Sequence, residues 1–147
     1  MSHARTQIRN AITTLLKGNT SAGNNVFEAR AYPLDDPKLP ALLVYTKQET
    51  VGEQSMSRPR TQHRELLLTV EAYVKANSNA DEIIDTLALE IEQLIAADQT
   101  LGGLVKDTAL DTTQMQFSDD GEKPIAVMMM TFSVLYAVKE TAPQTLI

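Results

Sequence analysis

Between His63 and Lys75, Leu66, Leu68, Val70, Ala72 and Val74 alternate with Glu65, Thr69, Glu71, Tyr73 and Lys75. A period of two buries one face of a strand and wets the other, so residues 64–75 are predicted as a long strand, with only Leu67 breaking the pattern. Asn77, Ser78 and Asn79 stop it. From there the period changes to that of a helix over 79–97, with Ile83, Ile84, Leu87, Ile91, Leu94 and Ile95 on one side. Asn79 and Glu82 have capping-box spacing, and Asp81 and Glu82 suit the positive end of the helix.

The same reading places the other elements. Ile8, Ala11, Ile12, Leu15 and Leu16 form the apolar stripe of a helix over 5–17, which Gly18 ends in the left-handed conformation. A short strand is predicted at 26–31. Residues 32–40 hold three prolines and read as a surface connection. Residues 41–48 are apolar on both faces, as in a central strand. Residues 49–61 are polar and form either a free loop or an arm made by extending two strands. Residues 110–117 read as a strand in which Leu110 lies one residue out of step with Met115 and Phe117. Asp120-Gly121 signals a hairpin, Ile125–Lys139 is the longest strand, and residues 141–147 are expected to be a loose tail after Pro143.

The order α-β-β-β-α-β-β joins most strands without an intervening helix, which favours antiparallel pairing. The predicted fold is a single α+β domain over 1–147, a two-layer sandwich. A mostly antiparallel or mixed sheet of about five strands carries two helices on one face. A chain of 147 residues buries enough surface to fold without staples. With no cysteine, disulfides and thiolate chemistry are excluded. No apolar run approaches the length of a membrane span and no secretory signal is legible, so a cytoplasmic protein is expected.

Charge changes the picture more than composition does. Residues 1–64 carry nine Lys/Arg against five Asp/Glu, whereas residues 65–147 carry four against fourteen, for a net −6. An acidic total disfavours a broad nucleic-acid surface, and no specific nucleic acid is expected as a partner. The asymmetry fits either complementary faces that meet head to tail in an oligomer, a basic face for a polyanion, or chance clustering on a solvated surface.

Catalytic chemistry is absent from this reading. His63 and Glu65 share a strand face but make an incomplete metal pair, and a solvated face explains them better. Asp35-Asp36 and Asp119-Asp120 sit beside turn residues, where aspartate bonds backbone amides. Gly102-Gly103 follows a helix rather than preceding one, so it is no phosphate loop. No catalytic, cofactor-binding or metal-ligating residue is assigned, and no cofactor is expected.

Protein contact is the better lead. Helix 79–97 has no Lys or Arg, and Asp85, Leu89 and Glu92 lie on its face away from the apolar stripe. Its acidic C-terminal half opposes the helix dipole, which a basic partner would relieve. Lys47, Glu49, Glu53, Met56, Arg58, Arg60 and Arg64 lie in or beside the 47–60 arm and could supply that partner from another copy; solvated arginines on a loop are the plain alternative.

Over residues 5–139 the layout resembles the tail terminator proteins of long-tailed phages, the lambda minor tail protein U type. The resemblance rests on the opening helix, Val26-Phe27, Leu39-Pro40-Ala41-Leu42-Leu43-Val44-Tyr45-Thr46 and Gly52-Glu53. It continues through Glu65-Leu66-Leu67-Leu68-Thr69-Val70-Glu71, the acidic helix, Ala97-Asp98-Gln99-Thr100-Leu101-Gly102-Gly103-Leu104-Val105 and the closing strand around 131–136. It implies a structural protein without catalytic residues that forms a six-subunit ring, alone or only on the tube. Such a ring caps the tail tube, stops its polymerisation and presents a surface to the head–tail neck. The implied partners are further copies of the chain, the major tail tube protein and the neck or connector protein, with no membrane. The implied location is the host cytoplasm during assembly and then the tail–neck junction of the virion. Another neck or head-completion protein and a small cytoplasmic ligand-binding module stand as alternatives.

Overall fold

A computed structural model describes residues 2–28, 30, 39–75, 79–118 and 125–147. Its elements in chain order are α1 (Ala4–Leu16), β1 (Val26–Phe27), β2 (Ala41–Gln54), β3 (Thr61–Lys75), α2 (Ala80–Ala96), β4 (Asp107–Ser118), β5 (Ile125–Lys139) and β6 (Ala142–Leu146). The sheet runs β1-β2-β3-β5-β4, and β6 pairs with β5. Among the described strands, β1 and β2 pair in parallel and the other pairings are antiparallel. The α+β architecture with two helices thus matches the sequence expectation.

One sheet face and the two helices make the core. Ile8, Ile12 and Leu16 of α1, with Ile84, Leu87 and Ile91 of α2, are fully buried against Leu42, Val44, Leu66, Leu68, Val70, Met128, Met130 and Val134. The period-two rows of β3 and β5 fall in register, Leu66 opposite Val134, Leu68 opposite Phe132 and Val70 opposite Met130. Each such side chain contributes about 1.5–3 kcal/mol on burial, so these rows fix the register. A one-residue slip would turn all of them to the opposite face.

Three local outcomes differ from the sequence expectation. The last residues are not a loose tail: Ala142–Leu146 is β6, with Leu146 opposite Val138, Ala142 opposite Lys139, and the Ile147 N–H donating to the Ala137 carbonyl at 2.9 Å. Pro143 lacks an N–H, but an edge strand tolerates it. The expected strand 26–31 is only Val26–Phe27; Glu28 and Arg30 lie outside it, and Ala29 and Ala31 lie outside the described residues. Asn79 sits at the N-cap of α2, but its side chain makes no capping bond there.

The second sheet face is also less wet than its polarity implies. Thr69 and Glu71 are 3% and 7% exposed. Glu71 accepts hydrogen bonds from the Tyr45 hydroxyl at 2.6 Å and the Tyr73 hydroxyl at 2.5 Å. A buried carboxylate persists when its oxygens are matched by donors.

Candidate assembly interface

Of the two arrangements expected for residues 47–60, the structure has the extended strands, and the extension also rests on β5. β2 pairs with β3 as far as Gln54 and Gln62, and β3 pairs with β5 as far as Thr61 and Lys139. The hairpin is therefore one side of a three-stranded extension of the sheet, and only the turn at 55–60 projects beyond it. A bulge at Lys47 separates the pairs Thr46–Leu68 and Gln48–Leu67. That extra residue turns Glu49 and Val51 to the face that carries the helices, alongside Leu66 and Arg64.

There Glu49 organises a cluster. Its carboxylate accepts from Arg5 Nη1 at 2.6 Å, from Arg64 Nη1 at 3.3 Å and from the Tyr136 hydroxyl. Arg64 Nη2 also donates to Gln62 Oε1 at 2.7 Å, whereas Arg64 Nε is buried without a partner. Burial, and then the bond to Glu49, push the Tyr136 hydroxyl up to about 12. Glu49 and Arg64 side chains are each 11% exposed. These two candidate residues thus join α1, β2, β3 and β5 within one copy. Arg60 Nη1 likewise reaches Glu140 Oε2 at 3.5 Å, closing the turn against the end of β5.

The other candidates face solvent. Met56 is 96% exposed, and Arg58 and Lys47 are exposed. On α2, Asp85, Leu89 and Glu92 are exposed, as the helical wheel requires. The α2 C-terminus has no basic residue in its last turn; Asp98 Oδ1 accepts the Gly102 N–H at 2.9 Å beyond it. The Glu53 side chain lies outside the described residues.

Strand order converts the charge split along the chain into a split across the molecule. α1, β1 and β2 lie at one edge and supply Arg5, Arg9 and Lys47, with Arg30 following β1; on the same flank Glu49 pairs with Arg5 and Glu28 with Arg9. At the other edge α2 packs beside β4, and residues 79–118 hold eight acidic side chains and one lysine. One flank is mixed to basic and the opposite flank is acidic.

The sequence reasoning missed a second feature. β4 forms the outer edge, and every residue from Ala109 to Phe117 is exposed. Leu110, Met115 and Phe117 stand 40%, 51% and 55% exposed along it. The signal was available in the stretch 112–118, which has no charged residue and no proline. On the opposite edge, β1 covers β2 only at Leu42 and Leu43. Arg30 then lies over the Tyr45 ring and donates to the Thr46 carbonyl at 2.5 Å. Beyond it, no described strand pairs with the outer edge of β2.

No curated protein matches the chain. Among solved structures, a chain of the virion of a native gene transfer agent particle is similar at 11% identity. The similarity covers 91% of this chain and 99% of that one, with a TM-score of 0.41. The family model for phage minor tail protein U matches residues 3–136, nearly the whole fold just described. The chain therefore belongs to the phage minor tail protein U family.

Proposed function

We infer that this structural tail protein acts as a tail terminator. Copies close into a ring, six by the resemblance described above, which seats on the end of the tail tube. The seated ring leaves no site for another tube layer and offers its other face to the head–tail neck. Subunits that must close on themselves need heterologous contacts, two different surfaces per copy. The observation that supports this reading is that the two opposite sheet edges differ in charge, mixed to basic beside β2 and acidic beside β4. Within this reading the exposed Arg58 and Met56 at the hairpin turn, together with Lys47, face the acidic α2 of the next copy, including Asp85, Leu89 and Glu92. Arg64, Glu49 and Arg60 hold the hairpin in shape.

Light scattering over a wide concentration range, with negative-stain images, tests the ring. A six-copy mass and an annular particle are expected, either for the protein alone or on the ends of purified tail tubes, where added protein stops tube growth. A monomer at every concentration that neither binds tube ends nor halts elongation would overturn the reading. Arg58→Glu should weaken the ring and leave the monomer folded.

A further inference from the structure

We propose that the outer edge of β4 is the docking strand through which copies join, and that its occupant is the open edge of β2 from the next copy. This rests on the ring reading and specifies its contact.

Natural sheets blunt a long free edge with lysine, proline, short length or a cover. β4 has twelve residues, and after the bulge at Asp111 it carries none of those devices through Ser118. Its inner edge is paired with β5 throughout, and among the described residues its outer edge pairs with nothing. Met115 lies opposite Met128 and Phe117 opposite Ala126, so both project on the helix-bearing face. Residues 47–54 of β2, whose outer edge pairs with no other described strand, carry Val51 on that same face, 42% exposed. Joining the two edges brings exposed apolar groups together and satisfies two rows of backbone donors and acceptors.

Direction and offset agree with closure. Each step from β2 through β3 and β5 to β4 is antiparallel, so β4 runs opposite to β2. A ring rotation preserves strand direction when strands lie along or oblique to its axis. The β4 of one copy therefore meets the β2 of the next as an antiparallel pair. Through the pairings Val44–Val70, Val70–Met130 and Met130–Thr113, the middle of β4 lies level with Val44. The open part of β2 lies about six residues further on, roughly 20 Å along the strands, across about 19 Å of sheet at ~4.8 Å per strand step. A ring without axial rise then requires strands tilted by about 45°, at the upper end of the tilt of closed barrels.

Charge chooses a second copy over another partner. With the strands joined antiparallel, the 55–60 turn of one copy points toward the start of β4 in the next. There lie the C-terminal end of α2 with Glu92, and Asp98 and Asp107, three anions against the single cation Lys106. Arg58 is the exposed cation at that turn, and this helix end has no basic residue of its own.

The chain has no cysteine, so every disulfide formed by introduced residues is diagnostic. Single variants with cysteine at Gln48 or Val51 are mixed with single variants carrying it at Leu110, Thr113 or Met115, and oxidised under conditions where rings are seen. Covalent dimers are expected in the mixtures and not in any variant alone. Their register should be compensating: moving the β2 cysteine toward Gln54 must be matched by moving the β4 cysteine toward Asp107. Met115→Lys combined with Phe117→Lys should raise the midpoint concentration for ring formation about tenfold or more, with an unchanged far-ultraviolet melt, since both side chains are exposed. Rings that form with no mixed disulfide at any position, or β4-to-β4 disulfides in a single variant, would overturn the strand contact while leaving the ring itself standing. Absence of rings both in solution and on tube ends would overturn the ring reading and this contact with it.

Discussion

Replacing Glu49 by methionine, which keeps the volume and removes the charge, probes the joint between the hairpin and the helical layer. The contributions differ by partner. Arg5 is 39% exposed, and its pair with Glu49 is worth about 0.5–1 kcal/mol because water screens it. Arg64 is 11% exposed, and it would keep only its bond to Gln62. A mostly buried guanidinium that loses its anion costs about 3–5 kcal/mol, reduced here to roughly 2 by that remaining bond. The buried Tyr136 hydroxyl would lose its acceptor at a cost of about 1 kcal/mol or more. Together Glu49→Met should destabilise the fold by about 4 kcal/mol, which lowers Tm by roughly 10 °C or more for a chain of this size.

Glu49→Gln keeps one acceptor oxygen for Tyr136 and should cost about half as much. The double variant Glu49→Met with Arg64→Met removes both buried charges, and it should recover at least ~2 kcal/mol relative to the sum of its parts. Urea unfolding measures all five proteins, Arg64→Met alone included, at low protein concentration, since any assembly would add to apparent stability. Raising salt to about 1 M should remove the Arg5 share and leave most of the rest. Five unfolding free energies within about 0.5 kcal/mol of one another would show that the cluster is solvated and that Glu49 does not hold the hairpin joint.

Three further predictions follow from the described geometry. Ile91→Ala should cost about 2–5 kcal/mol in urea unfolding, and Leu89→Ala, two positions away but 56% exposed, less than about 0.5. Burial, and next the bond from its hydroxyl to Glu71, push the Tyr45 hydroxyl up to about 12, and the same causes raise Tyr73. The folded chain then holds phenolic protons that an unfolded chain releases near pH 10. Stability should be complete below that pH and decline toward pH 12. Absorbance titration should show late phenolate formation, and Glu71→Gln should bring it earlier; tyrosines ionising near pH 10 in the folded protein would contradict the buried cluster. His3 accepts the Arg5 N–H on Nδ1 at 3.1 Å, and burial, then the Arg5 charge, lower its pKa from 6.5. Its contribution is therefore present above pH 6.5 and lost as pH falls below it. Protection of the amides at the start of α1, taken relative to intrinsic exchange, should fall as pH drops below 6.5 in the native chain and change much less in His3→Asn, whose cap does not titrate in this range.

What the sequence disclosed depends on whether one element or several decide a position. The rows of β3 and β5 were legible because each strand carries its own burial pattern. The slip of Leu110 against Met115 and Phe117 was legible too: Asp111 is the extra residue of a bulge between Leu110 and Thr112. Burial of Glu71 was hidden, because its hydroxyl donors come from Tyr45 on β2 as well as from Tyr73 on its own strand. The ion pairs of Glu49 were hidden for the same reason. The bulge at Lys47, which no local periodicity marks, turns Glu49 toward Arg5, a residue 44 positions away. β6 was missed because Pro143 reads as a strand breaker when its edge position is unknown.

Charge shows the same division most clearly. The imbalance between the two halves of the chain was countable at once, yet its meaning hung on where β5 inserts. Had β4 paired with β3, β5 would have formed the edge, with its alternating row of large apolar residues beside the acidic helix. Instead β5 enters between β3 and β4 and uses its two-sided apolar character as a central strand. That insertion pushes the sparsely apolar β4 to the rim, next to α2, as far as the sheet permits from α1 and β2. At the rim β4 leaves Leu110, Met115 and Phe117 about half exposed in a lone copy, and among the described residues its outer backbone edge is unpaired, so a neighbour that pairs with it covers both. The chain order that leaves β4 at the edge is thus the step that turns a composition bias into two unlike surfaces, and two unlike surfaces on opposite sides are what a closed ring of identical copies requires.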